Sequence, residues 1–316
     1  MNELNVSIVI PLFNEEESLK ELTSIIINVC NEANLSFEIL LIDDGSTDTS
    51  WTIIKHLATE DSRIKGVSFR RNYGKSAALN IGFAKSKGNV VITMDADLQD
   101  NPNEIPELYN LIVEERYDII SGWKKHRKDP LSKTIPTKLY NAVTRMVSGI
   151  KLNDMNCGLK AYRSEVIKNI EVYGEMHRYI PVIAKWAGFN KIGEKVVIHS
   201  ERKYGKTKFG LERFIFGFLD LFSITFIGKF GKRPMHLFGT LGILMFFVAF
   251  VFLFWIGIDK LFIDTSSKLI ADRTEFFIAI SAMIMGVQMF LAGFIGEMIA
   301  RNSPKRNFYH IKEDIT

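Results

Sequence analysis

The sequence predicts an α/β fold: a mostly parallel sheet covered by helices on both faces, followed by interfacial helices and two transmembrane helices. Three observations carry that expectation. Short β-branched runs alternate with stretches of helical periodicity through the first 121 residues. Two late segments are apolar for longer than a bilayer core is thick. Between them in kind, an aromatic stretch with isolated charges joins the two parts.

The predicted strands are Val6–Ile10, Phe37–Ile42, Ile64–Phe69 and Val90–Met94. Helical periodicity falls between them, near Glu15–Cys30, Thr49–Ala58 and Lys75–Ala84. This alternation requires right-handed crossovers and a sheet buried on both sides. A helix near Glu104–Glu115, a strand at Asp118–Ser121 and a helix at Ser132–Val147 follow. Beyond them the pattern is less regular.

Met235–Ile258 and Phe276–Gly296 contain no Asp, Glu, Lys or Arg. Each exceeds the about 20 apolar residues a transmembrane helix needs. Lys229, Lys232 and Arg233 precede the first; Arg301, Lys305, Arg306 and Lys312 follow the second; the connecting loop has mixed charge. The positive-inside rule then places the preceding domain and both termini in the cytoplasm. Residues 209–232, with Phe209, Arg213, Phe216, Asp220 and Lys229, suit helices lying in the interface or a buried helix of the first domain. The expected divisions are 1–208 (catalytic), 209–232 (juxtamembrane), 233–300 (membrane) and 301–316 (cytoplasmic tail).

Composition narrows the function. Hydrophobic residues make up 47% of 316 and Phe alone counts 24, which favours a membrane component. The net charge of +4 is too small to argue for nucleic acid. The two cysteines, Cys30 and Cys157, supply neither a disulfide framework nor metal-ligand spacing. No basic stretch leads into an apolar core at the N-terminus, so no signal peptide is expected.

The chemistry is expected in the loops that leave the strand ends, where open α/β sheets bind ligands. Val90–Met94 leads into Asp95-Ala96-Asp97-Leu98-Gln99. Positions two apart share a face of a strand, so Asp95 and Asp97 can converge. Paired carboxylates repel unless a cation joins them, and hard oxygen donors suit Mg²⁺ or Mn²⁺ shared with a substrate phosphate. Gln99 can add an amide oxygen. Alone, such a segment is more often a solvated turn with a helix cap. The loops Pro11-Leu12-Phe13-Asn14-Glu15 and Asp43-Asp44-Gly45-Ser46-Thr47-Asp48 alter that balance. Asp43 or Asp44 can accept from a base N–H, Phe13 can flank the base, and Gly45 permits close backbone approach.

Together these motifs resemble a family 2 glycosyltransferase, and with the two spans nearly the whole chain resembles polyprenyl-phosphate sugar synthases. The resemblance implies a GT-A, Rossmann-like fold and inverting transfer from a nucleotide sugar, with a UDP- or GDP-linked donor, to polyprenyl (undecaprenyl or dolichyl) phosphate. It implies nucleotide contacts at Pro11, Phe13, Glu15, Asp43 and Asp44. The family's Arg-Asn-x-Gly-Lys element appears as Arg71-Asn72-Tyr73-Gly74-Lys75, placing Asn72, Gly74 and Lys75 beside the nucleotide. Asp97 and Gln99 would hold Mg²⁺ or Mn²⁺, with Asp95 on the donor ribose or the metal shell. Asn156–Arg163 resembles the acceptor-site segment. Arg202-Lys203-Tyr204-Gly205-Lys206-Thr207-Lys208 resembles a basic loop covering the phosphates, with Thr207 where the family has Ser; Arg202 and Lys206 are its candidate catalytic cations.

A second basic cluster, Gly122–Lys128, offers Lys124 and Arg127 to phosphate, and His177 and Arg178 are candidates for the acceptor side. Relatives with this two-span ending suggest a homo-oligomer, with Met245, Phe246 and nearby glycines at the interface. A processive polysaccharide synthase is disfavoured because neither glutamine, Gln99 or Gln288, begins a Gln-x-x-Arg-Trp motif. Transfer to another membrane lipid, or a non-catalytic nucleotide-binding scaffold, are the remaining alternatives.

Overall fold

The computed structural model describes residues 4–125, 141–146, 148–200, 203, 234–263, 269–301 and 311–315. It divides into two compact units, Met1–Ile224 with Arg306–Thr316, and Thr225–Lys305.

The first unit is built on an eight-stranded sheet. Its strands are β1 (Val6–Leu12), β2 (Phe37–Asp43), β3 (Ile64–Phe69), β4 (Val90–Thr93), β5 (Ile119–Trp123), β6 (Lys160–Arg163), β7 (Ile192–Val196) and β8 (Ile311–Ile315). Their spatial order is β7-β5-β6-β4-β1-β2-β3-β8. The central β4-β1-β2-β3 block is wholly parallel, as is the β5–β7 pair. Strand β6 runs antiparallel between β4 and β5, and β8 runs antiparallel on the β3 edge.

The central strands are mostly apolar because both faces are covered, with buried Ser7, Glu38, Asp43, Ser68 and Thr93 as the polar exceptions. Ile8, Ile10, Ile39 and Leu41 join α1 (Leu19–Glu32), α2 (Ser50–Glu60) and α4 (Ile105–Val113) in one core. Val9, Leu40 and Ile42, alternating with them, join α3 (Lys75–Lys85) and α6 (Ile180–Trp186) in the other. A short α5 (Ser164–Lys168) follows β6. Residues 141–146 are helical, within the helix predicted over Ser132–Val147, and 148, one position past it, is helical too; 132–140 and 147 lie outside the described residues.

Three strands were not expected. β6 and β7 are short and carry Lys160, Arg163, Glu194 and Lys195, which blur a strand pattern. Residues 301–316 are expected as a tail, yet 311–315 of them pair with β3, and Lys85 forms an ion pair with Asp314 there. The charged Lys-Glu-Asp centre of β8 suits an edge strand.

The second unit is a helix pair, α7 (Pro234–Ile258) and α8 (Thr274–Arg301). The helices approach closely because small residues face large ones: a β-carbon on Gly242 would lie 2.6 Å from the Phe290 ring, and one on Gly293 would lie 2.9 Å from Phe238. Phe246 also packs on Phe290, with ring centroids 6.3 Å apart, so this candidate oligomer residue has an intramolecular role. Arg273 and Asp259 form an ion pair between the helices' connected ends. Outward, Phe247, Phe250, Phe254, Leu291 and Phe294 are exposed. Both helices are long and apolar enough to cross a membrane, over Leu237–Phe262 and Thr274–Gly296. With so much outward apolar surface, lipid is their solvent and the protein is a membrane protein.

Candidate active site

Because β1, β2, β3 and β4 are parallel neighbours, the loops that follow them emerge at one edge of the sheet. Those loops contain Phe13–Glu15, Asp43–Asp48, Arg71–Lys75 and Asp95–Gln99. Topology thus brings together four motifs separated by up to 86 positions in the chain.

The first two loops are tied to each other. Asp44 N–H donates to the Leu12 carbonyl at 2.8 Å, Asn14 N–H to Ser46 Oγ at 2.9 Å, and Thr47 N–H to Asn14 Oδ1 at 2.8 Å. Asn14 takes φ 55°, a left-handed turn that Asn tolerates. Glu15 enters through its backbone, donating to Ser50 Oγ at 3.1 Å. Pro11 lies within β1 opposite Ile42, and Phe13 is half-buried just beyond the strand end.

The two aspartates of the second loop have separate duties. Asp43 is buried and accepts from Ser46 N–H at 2.9 Å and from Ser68 Oγ at 2.8 Å, which fixes the turn to β3. Asp44 accepts from Tyr73 N–H at 2.7 Å and Gly74 N–H at 2.9 Å, clamping the third loop. Burial pushes the Asp44 carboxyl up to about 6, against the pull of those two N–H groups. Gly45, at φ 75°, is required sterically as well: a β-carbon there would lie 2.5 Å from the Arg71 carbonyl carbon. Asn72 is exposed at the rim of this loop.

Lys75, the first residue of α3, forms an ion pair with Asp95. Burial alone would raise the Asp95 carboxyl, but Lys75 beside it, with Lys124 and Lys160 farther off, holds it below the usual carboxylate range. Gly158 packs directly on that carboxylate, since a β-carbon there would lie 2.4 Å from Asp95 Oδ2. Asp95 N–H also points to Asp100 Oδ2 at 3.3 Å. Asp100 is in turn paired with Lys124 at 2.8 Å, and both side chains are buried. Lys124, a phosphate candidate in the sequence, instead forms the interior support of the carboxylate loop.

Asp97 is buried, accepts from Gln99 N–H at 3.2 Å, and is followed by Leu98 at φ 60°. That left-handed residue turns the chain sharply between Asp97 and Gln99. Among the described residues no group of three or more His, Cys, Asp or Glu side chains is placed to hold a metal. The available donors are therefore few and hard: Asp97, Gln99 and, if released from Lys75, Asp95. Such a set suits Mg²⁺ or Mn²⁺ with substrate phosphate and water completing the shell.

The approach of the basic loop is partly visible. Ser200 N–H donates to the Gln99 carbonyl at 2.9 Å, and the backbones of His199 and Asp100 pair as an isolated antiparallel bridge. The segment leading into Arg202 therefore runs against the carboxylate loop. Lys203 is engaged by Glu21 on α1 at 2.7 Å. Arg127, Arg202 and Lys206 lie outside the described residues.

Sequence reasoning missed two functional candidates. Ser76, buried at the start of α3, contacts both the backbone N–H and the Nδ1 of His177 at 3.0 Å, bringing the His177-Arg178 segment to Lys75. Lys160 is buried on β6 and lines a small pocket with Lys75, Thr93, Asn156, His177 and Arg178. The only advance signal for Lys160 was its place in the Asn156–Arg163 motif.

Comparison with known proteins agrees with this architecture. Residues 7–171 match the family described as glycosyl transferase family 2. The dodecaprenyl-phosphate galacturonate synthase of Rhizobium johnstonii is 35% identical over 304 residues, covering 95% of this chain and 89% of that protein. An undecaprenyl-phosphate 4-deoxy-4-formamido-L-arabinose transferase of Aeromonas hydrophila is 34% identical over 297 residues, covering 94% and 88%. Among solved structures, mannosyl-3-phosphoglycerate synthase from Rubrobacter xylanophilus superposes with a TM-score of 0.58 at 15% identity, covering 72% of this chain and 75% of that one. Glucosyl-3-phosphoglycerate synthase from Mycobacterium tuberculosis gives 0.52 at 20% identity, covering 71% and 80%. The fold is accordingly the mostly parallel GT-A sheet, and the chain belongs to glycosyl transferase family 2.

Proposed function

We propose that the protein transfers a sugar, a hexosyl group or a close analogue, from a nucleotide-sugar donor to a polyprenyl phosphate, with inversion at the anomeric carbon. One observation carries the reading: a single sheet edge gathers the Asp44-clamped loops and the Asp95–Gln99 loop in a chain that also carries two membrane spans. The names of the Rhizobium and Aeromonas relatives, both polyprenyl-phosphate sugar enzymes, support the acceptor class. UDP is favoured over GDP on the sequence argument that an aspartate pair need only meet a pyrimidine N–H, although both carboxylates already accept from Ser46, Ser68, Tyr73 and Gly74. The chain of the lipid, undecaprenyl or dolichyl, follows the host membrane. The excess of Lys and Arg flanking the spans supports a catalytic domain and both termini on the cytoplasmic side.

The nucleophile is a phosphate monoester, already largely dianionic near pH 7 with its second pKa about 6. No side chain need take a proton from it. The work of the site is to hold two anions together and to support a departing nucleoside diphosphate. A Mg²⁺ or Mn²⁺ ion on Asp97 and Gln99 would offset the charge on that diphosphate. Lys75 keeps Asp95 ionised and fixed beside the donor. Arg202 and Lys206, following the Ser200–Gln99 contact, are assigned to the phosphates, with Arg127 as a further cation. The oligomer suggested by the sequence stays a proposal, with Met245 at its interface.

The test is transfer of labelled sugar from UDP- and GDP-donors to undecaprenyl phosphate by the detergent-solubilised full chain. Label should enter the lipid phase with one donor and fall by at least about 10²-fold with EDTA or in Asp97→Ala. Bound nucleotide with no lipid product from any donor would refute the acceptor assignment.

A further inference from the structure

The pocket beside Asp95 has two features that the transfer reaction as described does not use. The first is Lys160. Its side chain is 3% exposed and its ammonium donates to the Cys157 carbonyl. Among the described residues no carboxylate forms an ion pair with it; Asp154 and Asp95 attract it only through space. The neighbouring cations are matched differently: Lys75 has Asp95, and Arg178 has Glu175 at 3.5 Å. A buried ammonium without a counter-ion is costly, and the cost is relieved when a ligand brings the anion. The second feature is Asn156, whose buried Oδ1 has no hydrogen-bond partner among the described residues. Both residues line the same pocket, and Arg178 and His177 form another part of its wall.

An unmatched cation calls for an anion, and an unmatched acceptor calls for a donor. A phosphate dianion offers acceptors only and would leave Asn156 Oδ1 unpaired. A sugar acid offers both, a carboxylate for Lys160 and the Arg178 fork and a ring hydroxyl for Asn156. The enclosed space is about 20 Å³, about one water's worth, so it admits one carboxylate oxygen beside Lys160 while the rest of the sugar lies outside it. Neither Asp97 nor Gln99 lines it, so it lies apart from the donors assigned to the metal and diphosphate.

We propose that this pocket receives the carboxylate of the donor sugar, and that the protein's donor is a nucleotide-linked uronate. This rests on the glycosyl-transfer reading above and names its substrate class. Lys160 is the principal specificity residue, Arg178 the second, and Asn156 orients the ring through a hydroxyl.

The experiment compares matched donors that differ only in the carboxylate, using the full chain in detergent: UDP-glucuronate with UDP-glucose, UDP-galacturonate with UDP-galactose, and GDP-mannuronate with GDP-mannose. Affinity is read by competition against the bare nucleotide. On the nucleotide the protein recognises, one uronate should bind about ten-fold or more tightly than its neutral partner. Lys160→Met and Arg178→Gln should each bring that ratio toward one while leaving affinity for the bare nucleotide unchanged. Arg178→Gln carries the test alone if Lys160→Met does not fold. Equal binding of every pair by the wild type, with the bare nucleotide bound, overturns the uronate proposal and leaves glycosyl transfer standing. A ratio that survives both substitutions overturns the pocket assignment. Variants that keep the donor ratio but raise KM for undecaprenyl phosphate show an acceptor site instead. Failure of the wild type to bind either nucleotide overturns both readings.

Discussion

Gly158 offers the sharpest test of how the site is held. Its backbone is not left-handed, so no conformational demand accounts for glycine there. The space does: a β-carbon would lie 2.4 Å from Asp95 Oδ2 and 2.7 Å from its Cγ. Ordinary contact would require the carboxylate to retreat by roughly 1 Å. Asp95 cannot do so and keep its ion pair with Lys75. Gly158→Ala is therefore expected to destabilise the catalytic unit by about 1–3 kcal/mol, the usual cost of overpacking. A reacting group misplaced by about 1 Å should lower transfer by about 10²-fold. The measurement is a double-mutant cycle with Asp95→Ala, following transfer and denaturant unfolding of the full chain in detergent. On the Asp95→Ala background the methyl group meets no carboxylate, so adding Gly158→Ala should change stability by less than about 0.5 kcal/mol and activity hardly at all. Equal losses on both backgrounds would show that glycine serves something other than the Asp95 carboxylate.

Two further outcomes follow from buried charge. Burial lifts Asp44 from 3.8 to about 6, so between those values the folded state keeps a proton the unfolded chain has released. This contribution to stability is complete below about pH 4 and lost as pH rises through 6, on the order of 3 kcal/mol in all. Asp44→Asn should flatten that part of the stability profile in denaturant titrations; an unchanged slope would contradict the assignment. Lys124→Met alone strands Asp100 in the interior and should cost about 3–5 kcal/mol, whereas Lys124→Met with Asp100→Leu should cost much less. If both forms lose stability equally, Asp100 has a partner that matters more than Lys124.

The legible part of the fold is the part where burial is uniform. β1, β2 and β4 are predominantly apolar because each strand feeds two cores, and such runs stand out against the helices between them even with Ser7, Glu38 and Asp43 inside them. β6 and β7 lack that signature since they carry charged side chains that find carboxylate partners: Lys195 pairs with Glu104, and Arg163 contacts Asp118 at 2.6 Å. β8 consists of five residues with three charges, and only its pairing with β3 makes it a strand.

The same distinction explains what could be read of the site. Motifs at strand ends announce themselves, because parallel topology brings them to one edge whatever their separation in sequence. The state of each cation does not, because it depends on which carboxylate folds against it. Lys124 stands in a basic run that looks poised for phosphate, yet Asp100 claims it. Lys203 stands in the basic loop, yet Glu21 engages it. Lys160 has only its place in the Asn156–Arg163 motif to mark it, and it is the buried cation without an ion-pair partner among the described residues. A count of positive charges in the motifs therefore misleads about where an anion binds. What decides the matter is the pairing of each charge, and on that basis the Lys160 pocket, rather than the basic runs, is the place proposed for the acidic sugar.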